Sequence, residues 1–356
     1  MLNVGQDSLS LNSKLYGILQ GKEVYKVTLQ NEVVMVDITN LGCSITAIYT
    51  PGRNGVKKNI VAGFEDLKDY ENNRDYFGCV LGRYANRIAG GSFFLEGKDI
   101  GLSVNDGANH LHGGVDGFNK KIWDITSFIR CDEQVCVVFE YLSSDGEEGY
   151  PGNLHVNVKY ILNNKNQLCI EYHAETDKAT PVSLSNHSYF NLTGFETPVV
   201  TDHILRINAM SYTEKNEHNL PTGNIVVVSA TPLDFLMPKK IGDHITRFPL
   251  DKGFDHNYIL NYHYPGEVVL AAQLKEPAIG RTLNVYTDQH AIQLYTANFW
   301  DGTIYGQHGQ YYQKHGAVAL ETQAFPDSPN QPSFPNTILN PGEHYFSTTI
   351  YEFGVE

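Results

Sequence analysis

The run Leu154-His155-Val156-Asn157-Val158-Lys159-Tyr160-Ile161-Leu162 decides the fold class. Leu154, Val156, Val158, Tyr160 and Leu162 recur at every second position, with His155, Asn157, Lys159 and Ile161 between them. A period of two assigns the two sets to opposite faces of an extended strand that is half buried. The same alternation runs through Val135, Val137, Phe139 and Tyr141, through Leu168, Ile170, Tyr172 and Ala174, and through Tyr345, Ser347, Thr349, Tyr351 and Phe353. Turn-forming runs punctuate these strands: Glu96-Gly97-Lys98, Asn105-Asp106-Gly107 and Asn163-Asn164-Lys165-Asn166. Helical spacing is confined to two stretches, Phe64 to Tyr76 and Lys239 to Phe248. Many strands and few short helices predict an all-β fold of antiparallel sheets, closed as a sandwich or barrel. No linker rich in Pro, Gly or Ser divides the chain, and no fixed period repeats, so a single domain over residues 1–356 is expected. The Pro-rich stretch Phe325 to Pro341 reads as an ordered surface loop.

Composition narrows the chemistry. Apolar residues make up 41% and aromatics 12% of the 356 residues, enough to bury a sizeable core. Tyrosine occurs 22 times; its ring offers an apolar face and its hydroxyl a polar edge, which suits both strands and sugar-binding surfaces. A formal charge of −14 repels a phosphate backbone, which excludes nucleic acid as a partner and favours a neutral substrate over an anionic one. Met1 to Lys14 lacks a basic segment followed by an apolar run, and no stretch approaches membrane-spanning length. Cys43, Cys79, Cys131, Cys136 and Cys169 are odd in number and form no CxxC pair, so neither a disulfide framework nor a zinc knuckle is indicated. A reducing cytoplasm is the expected home. Asn186-His187-Ser188 and Asn191-Leu192-Thr193 match the glycosylation pattern but are expected to go unused there.

Four segments carry polar residues where strands end. In His110-Leu111-His112-Gly113-Gly114 the two histidines would share a strand face, and the glycines allow a tight turn; a structural role for them is the alternative. In Val182 to Asn191, read as a strand, Ser183, Ser185, His187 and Tyr189 line one face, with His187 either functional or a hydrogen-bonded core residue. In Gly253-Phe254-Asp255-His256-Asn257 the carboxylate could accept sugar hydroxyls or simply close an Asx turn. In Ala317 to Asp327, the residues Ala317, Ala319, Glu321 and Gln323 share a face of a largely apolar strand. A carboxylate there is costly without partners and gains proton affinity, as a general base needs; no basic residue lies nearer in sequence than Lys314. Phosphate-binding glycine motifs and the GxSxG elbow are absent. A metal held by His110, His112 and a distant His or Glu, as in jelly-roll metal enzymes, is the competing reading of these histidines.

Seven motifs in order resemble the aldose 1-epimerase (galactose mutarotase) family over nearly the whole chain. They are Gly82-Arg83-Tyr84-Ala85-Asn86-Arg87-Ile88-Ala89, Leu111-His112-Gly113-Gly114, Asp145 to Gly152, Asn186 to Leu192, Gly253 to Asn257, Gln293 to Asn298 and Leu320-Glu321-Thr322-Gln323. An ending of Pro341-Gly342-Glu343 before an aromatic strand fits too, while Tyr84 and Ala297 depart mildly from the usual residues. The resemblance implies a large antiparallel β-sandwich with its site in a cleft on one sheet. It implies that Glu321 is the general base, that His187 is the general acid and that His112 assists at the ring oxygen. It implies that Arg87, Asp255, Gln293 and Asn86 bind sugar hydroxyls. The implied substrate is a free aldohexose such as galactose or glucose, with no cofactor, no metal and no macromolecular partner beyond a monomer or homodimer. An epimerase of hexose 6-phosphates would need a basic cluster, of which only Arg83 and Arg87 are visible; a non-catalytic sugar-binding module would need no acid–base pair.

Overall fold

The computed structural model describes residues 9–71 and 73–356, so most of the Met1–Lys14 stretch that bears on targeting, residues 1–8, lies outside the described residues. About 47% of the chain is strand and 7% helix, and the large sheets are antiparallel. The decisive run forms the strand Leu154–Asn163, paired with Gln134–Ser143 on one side and Gln167–Thr176 on the other. The register places Tyr160 between Val137 and Ile170, and Val158 between Phe139 and Tyr172. All six side chains are at most 1% exposed, so the alternation becomes a solid apolar face. Each such side chain contributes about 1.5–3 kcal/mol on burial.

These strands belong to a nine-stranded sheet that continues through Tyr345–Val355, Arg281–Thr287, Val269–Lys275, Ile204–Ile207 and Lys239–Lys240, with Asp124–Arg130 at the other edge. A six-stranded sheet runs in the order Tyr189–Phe190, Val318–Gln323, Ala291–Tyr295, Asp255–Ile259, Ser211–Lys215, Pro221–Val227. Tyr258, Ile292, Leu294, Val318 and Leu320 from this sheet enter the same core as Val158, Tyr160, Ile170 and Tyr351 of the larger one. Thr322 and Thr349 hydrogen-bond across the gap at 2.5 Å. The two sheets are thus the layers of a β-sandwich, and the face of the smaller sheet turned away from the core is free to carry polar groups. A further five-stranded sheet, Ser10–Leu19 to Lys57–Asn59, adds Val27, Leu29, Val36 and Ile38 to the core.

Both helical stretches are shorter than their spacing predicts: one α-helical turn at Leu67–Glu71, and two 3-10 turns at Ile241–Asp243 and Ile245–Arg247. No described helix is long and apolar enough to cross a membrane. All five cysteines are free thiols. Neither glycosylation-like asparagine is accessible: the Asn186 amide donates to the Gly78 carbonyl, and the Asn191 amide to those of Thr197 and Gly316.

Three local expectations need correction. Val182–Asn191 is not one strand. Ser185–Asn186 pairs with Val80–Leu81, and Tyr189–Phe190 with Val318–Ala319, so the chain changes sheets at His187-Ser188 and loses its alternation. His110 and His112 do not share a strand face, because the strand ends at Leu111 and His112 adopts φ 54°. The Phe325–Pro341 stretch is not confined to the surface: Phe325, Phe334 and Asp327 are buried, and Asp327 hydrogen-bonds the Arg87–Ala89 backbone.

Candidate active site

Three neighbouring strands of the six-stranded sheet build the floor. Their register aligns Asn257 with Gln293 and Gln293 with Glu321, in one row across Asp255–Ile259, Ala291–Tyr295 and Val318–Gln323. Alternation sends Ile292, Leu294 and Leu320 into the core and turns Asp255, Gln293, Tyr295, Ala319 and Glu321 to the opposite face. Every residue of Val318–Gln323 is nevertheless buried, because loops cover that face. Asp255 Oδ1 accepts the Gln293 amide at 2.5 Å. The Gly-Phe-Asp turn before it needs its glycine: a Cβ on Gly253 would lie 2.1 Å from Asn298 Oδ1. Asn298 in turn donates to the Phe254 carbonyl, which locks the turn to the end of the neighbouring strand.

The loops form the wall. A Cβ on Gly113 would lie 1.7 Å from the Gly82 carbonyl oxygen, so only glycine lets the His112-Gly113 turn pack on the Gly82–Arg87 segment. There the Asn86 N–H donates to His112 Nδ1 and the Asn86 carbonyl accepts the His112 N–H, each at 3.1 Å. With Nδ1 accepting, the neutral ring carries its proton on Nε2. Burial, and then the neighbouring His187 and Arg87, hold His112 well below the usual histidine range. Its ring stands perpendicular to that of His187 at 5.4 Å and edge-on to Tyr76 at 4.7 Å. Arg87 donates through Nε to Asp106 at 2.7 Å and places Nη1 4.0 Å from Asp255 Oδ2.

Floor and wall enclose a cavity of about 260 Å³ lined by Asn86, Arg87, His112, His187, Asp255, Gln293 and Glu321. All seven residues singled out in the sequence therefore meet in one place. Glu321 is 2% exposed, and its Oε1 lies 3.5 Å from His187 Nε2, beyond a good hydrogen bond. Glu321 Oε2, His187 Nδ1 and Gln293 Oε1 have no hydrogen-bond partner among the described residues. Burial, reinforced by the charge of Asp255 and partly offset by Arg87, raises Glu321 well above the carboxylate range, and burial lowers His187. Asp255 is only partly exposed, yet Lys215 and Arg87 outweigh the loss of solvent and hold it below the usual range. Two carboxylates in one cavity are thus pushed in opposite directions, which separates a proton acceptor from a permanently charged hydrogen-bond acceptor.

Sequence reasoning missed Tyr76 and Tyr295, which also line the cavity with Tyr189, the residue that the sequence sets on a face with His187, and it missed Asp106 and Lys215, which orient Arg87 and Asp255. Tyr295 could have been found, since it alternates with Gln293 on one strand; Tyr76, Asp106 and Lys215 come from distant segments with no local signal. Two readings weaken. His110 is engaged by Ser103 O at 2.6 Å and Tyr150 Oη at 2.7 Å, so it cannot join His112 in a metal site. His112, His187 and Glu321 do present ligand atoms within 4.8 Å of one another, but His112 could bind a metal through Nε2 only by moving its proton onto Nδ1, against the Asn86 N–H. Arg83 is 2% exposed and spent on the Ser143, Ser144, Pro151 and Gly152 carbonyls, so it is closed to any phosphate.

Comparison with known proteins shows the family. Residues 25–352 match the family described as aldose 1-epimerase. The chain is 44% identical to galactose mutarotase of Homo sapiens over 335 residues, 94% of this chain and 95% of that one. It is 36% identical to aldose 1-epimerase of Escherichia coli (strain K12) over 345 residues, covering 94% and 97%. It superposes on the crystal structure of galactose 1-epimerase from Lactobacillus acidophilus with a TM-score of 0.85 at 29% identity, over 98% of this chain and 99% of that one. The chain belongs to the aldose 1-epimerase family and is an isomerase of that class.

Proposed function

We propose that this isomerase interconverts the α and β anomers of free aldohexoses, galactose or glucose, with Glu321 as general base and His187 as general acid. The observation that carries this is the Glu321 carboxylate: buried, with one oxygen unpartnered, 3.5 Å from an equally buried imidazole in a sugar-sized cavity. In ring opening Glu321 takes the proton of the C1 hydroxyl. The C1–O5 bond breaks as C1 becomes a carbonyl carbon, and O5 receives a proton from the His187 imidazolium. The Nε2–H of His112 donates a hydrogen bond to the same oxygen. Rotation about C1–C2 and closure with the two roles exchanged give the other anomer. Arg87, Asp255, Gln293 and Asn86 hold the hydroxyls meanwhile.

Burial serves this cycle. In water the ion pair of carboxylate and imidazolium lies about two pH units below the neutral pair, from pKa values of ~4.3 and ~6.5. The cavity raises Glu321 and lowers His187, which works against that gap. With His187 brought down to about 4 and Glu321 raised well above the usual carboxylate range, the order found in water is reversed, so Glu321 is the stronger base and His187 the stronger acid of the pair. The reading needs neither metal nor cofactor. It favours a neutral sugar over a phosphorylated one, since Arg83 is closed, Arg87 faces Asp106 and Asp255, and the other arginine on the lining, Arg74, is accompanied there by Asp75. It places a single domain over residues 1–356 in the cytoplasm, as a monomer or homodimer, in keeping with five unpaired thiols. Polarimetry of freshly dissolved α-galactose and α-glucose tests it: the expected result is decay of optical rotation faster than buffer alone, and decay at the buffer rate for both sugars overturns it.

A further inference from the structure

A second cluster of imidazoles and a carboxylate lies on the outer face of the nine-stranded sheet, away from the cavity. His173 and Glu175 are two residues apart on Gln167–Thr176 and therefore share its outer face. His344 immediately precedes Tyr345–Val355, the neighbouring strand, which pairs Ala174 with Tyr345 and His173 with Phe346. His344 thus falls beside Glu175. The His173 ring stacks on Phe346 at 4.6 Å, which fixes its plane. The three side chains are 29%, 50% and 54% exposed, in the order His173, Glu175, His344.

Three atoms converge there. His173 Nε2 lies 3.2 Å from His344 Nδ1, His344 Nδ1 lies 2.9 Å from Glu175 Oε1, and His173 Nε2 lies 3.4 Å from that same oxygen. Protons cannot satisfy all three contacts. If both rings donate to the carboxylate, their two N–H groups face each other; if His344 alone donates, the His173 Nε2 lone pair faces the carboxylate oxygen 3.4 Å away. A cation at the centre satisfies all three at once. Zinc bonds of ~2.0–2.1 Å at tetrahedral angles place neighbouring ligand atoms roughly 3.3 Å apart, and the observed edges of 2.9, 3.2 and 3.4 Å match that spacing. We propose that His173, Glu175 and His344 form a binding site for a divalent transition-metal cation of the zinc type. Two imidazoles and one carboxylate on two hydrogen-bonded strands fill three positions, and the fourth opens to solvent. The donor set suits zinc, copper or nickel and not magnesium or calcium, which prefer all-oxygen shells. Bound metal would pin the start of the final strand to its neighbour.

The test uses the full chain stripped with chelator, titrated calorimetrically with Zn²⁺ and followed with Co²⁺ by visible absorption. The expected result is one ion per chain. The double variant His173→Ala/His344→Ala should weaken binding at least about tenfold, the scale that even supporting contacts to a metal ligand reach. Glu175→Gln should weaken it as well. Glu321→Gln should bind as the parent does, because the buried trio is not the site. An unaltered mutarotation rate in the double variant shows that it is folded. No binding by the parent, an unchanged isotherm in the double variant, or loss confined to Glu321→Gln would each overturn the proposal.

Discussion

Among the described residues two imidazoles and a carboxylate meet twice: His112, His187 and Glu321 under the loops of the smaller sheet, and His173, Glu175 and His344 on the open face of the larger one. The residue types are the same and their surroundings are opposite. The inner trio is buried, its protonation is shifted by burial, and one ring nitrogen is taken by the Asn86 N–H. The outer trio is partly exposed, and its three facing atoms lie 2.9–3.4 Å apart. What such a group does is decided by its environment and not by its identity. Low dielectric and an occupied nitrogen favour moving protons, whereas free lone pairs at coordination spacing favour holding a cation.

Substitutions can break this contrast, the largest effect coming first. Glu321→Gln keeps the shape and cannot take a proton, so kcat should fall at least ~10²-fold with KM changed little; a near-parental kcat in protein of native circular dichroism would shift the base role to Asp255. His187→Gln should lose activity on the same scale, and adding it to Glu321→Gln should cost far less than the product of the two effects, because either loss already stops the coupled transfer. Steady-state polarimetry on the three proteins checks this, and strict additivity would mean that the two groups act in separate steps. Asp255→Asn should act on binding, raising KM by about tenfold or more, as loss of a charged hydrogen-bond acceptor does; a kcat loss exceeding the KM rise contradicts that role. The smallest effect is expected at the outer trio. Exhaustive EDTA treatment, or His173→Ala/His344→Ala, should leave the mutarotation rate unchanged and move unfolding stability by no more than about 0.5 kcal/mol without metal. A rate lost with EDTA and restored by Zn²⁺ would instead make the inner trio a metal centre.

The sequence spoke most clearly where one periodicity governed a whole element. Leu154 to Leu162 and its neighbours became strands with the expected face inward, because a period of two allows one arrangement when one side is buried. Glu321 was legible for the same reason, whereas Gln293 was reached only through the motif it belongs to. Val182 to Asn191 was misread because the chain there changes sheets and is buried on all sides, so alternation carries no information. His112 was found by its motif and misplaced by its geometry, since its left-handed backbone answers to the approach of Gly82 and Gly113 in space. Tyr76, Asp106 and Lys215 belong to the site only through the folding of distant segments, and nothing beside them in the chain says so. The outer trio is likewise split between residues 173–175 and 344, joined only by the pairing of two strands.

The row Asn257, Gln293, Glu321 has one more consequence. A strand can slip by one residue and keep its ladder, so a site built on register is exposed to error. In Ala291–Tyr295, however, such a slip would drive the Gln293 amide into the core and bring out Ile292 and Leu294, both wholly buried. Each apolar side chain so displaced forfeits about 1.5–3 kcal/mol. The hydrophobic side of the strand therefore proofreads its polar side: a chain that reaches this fold with its core intact has, by the same act, delivered its amide to the sugar cavity.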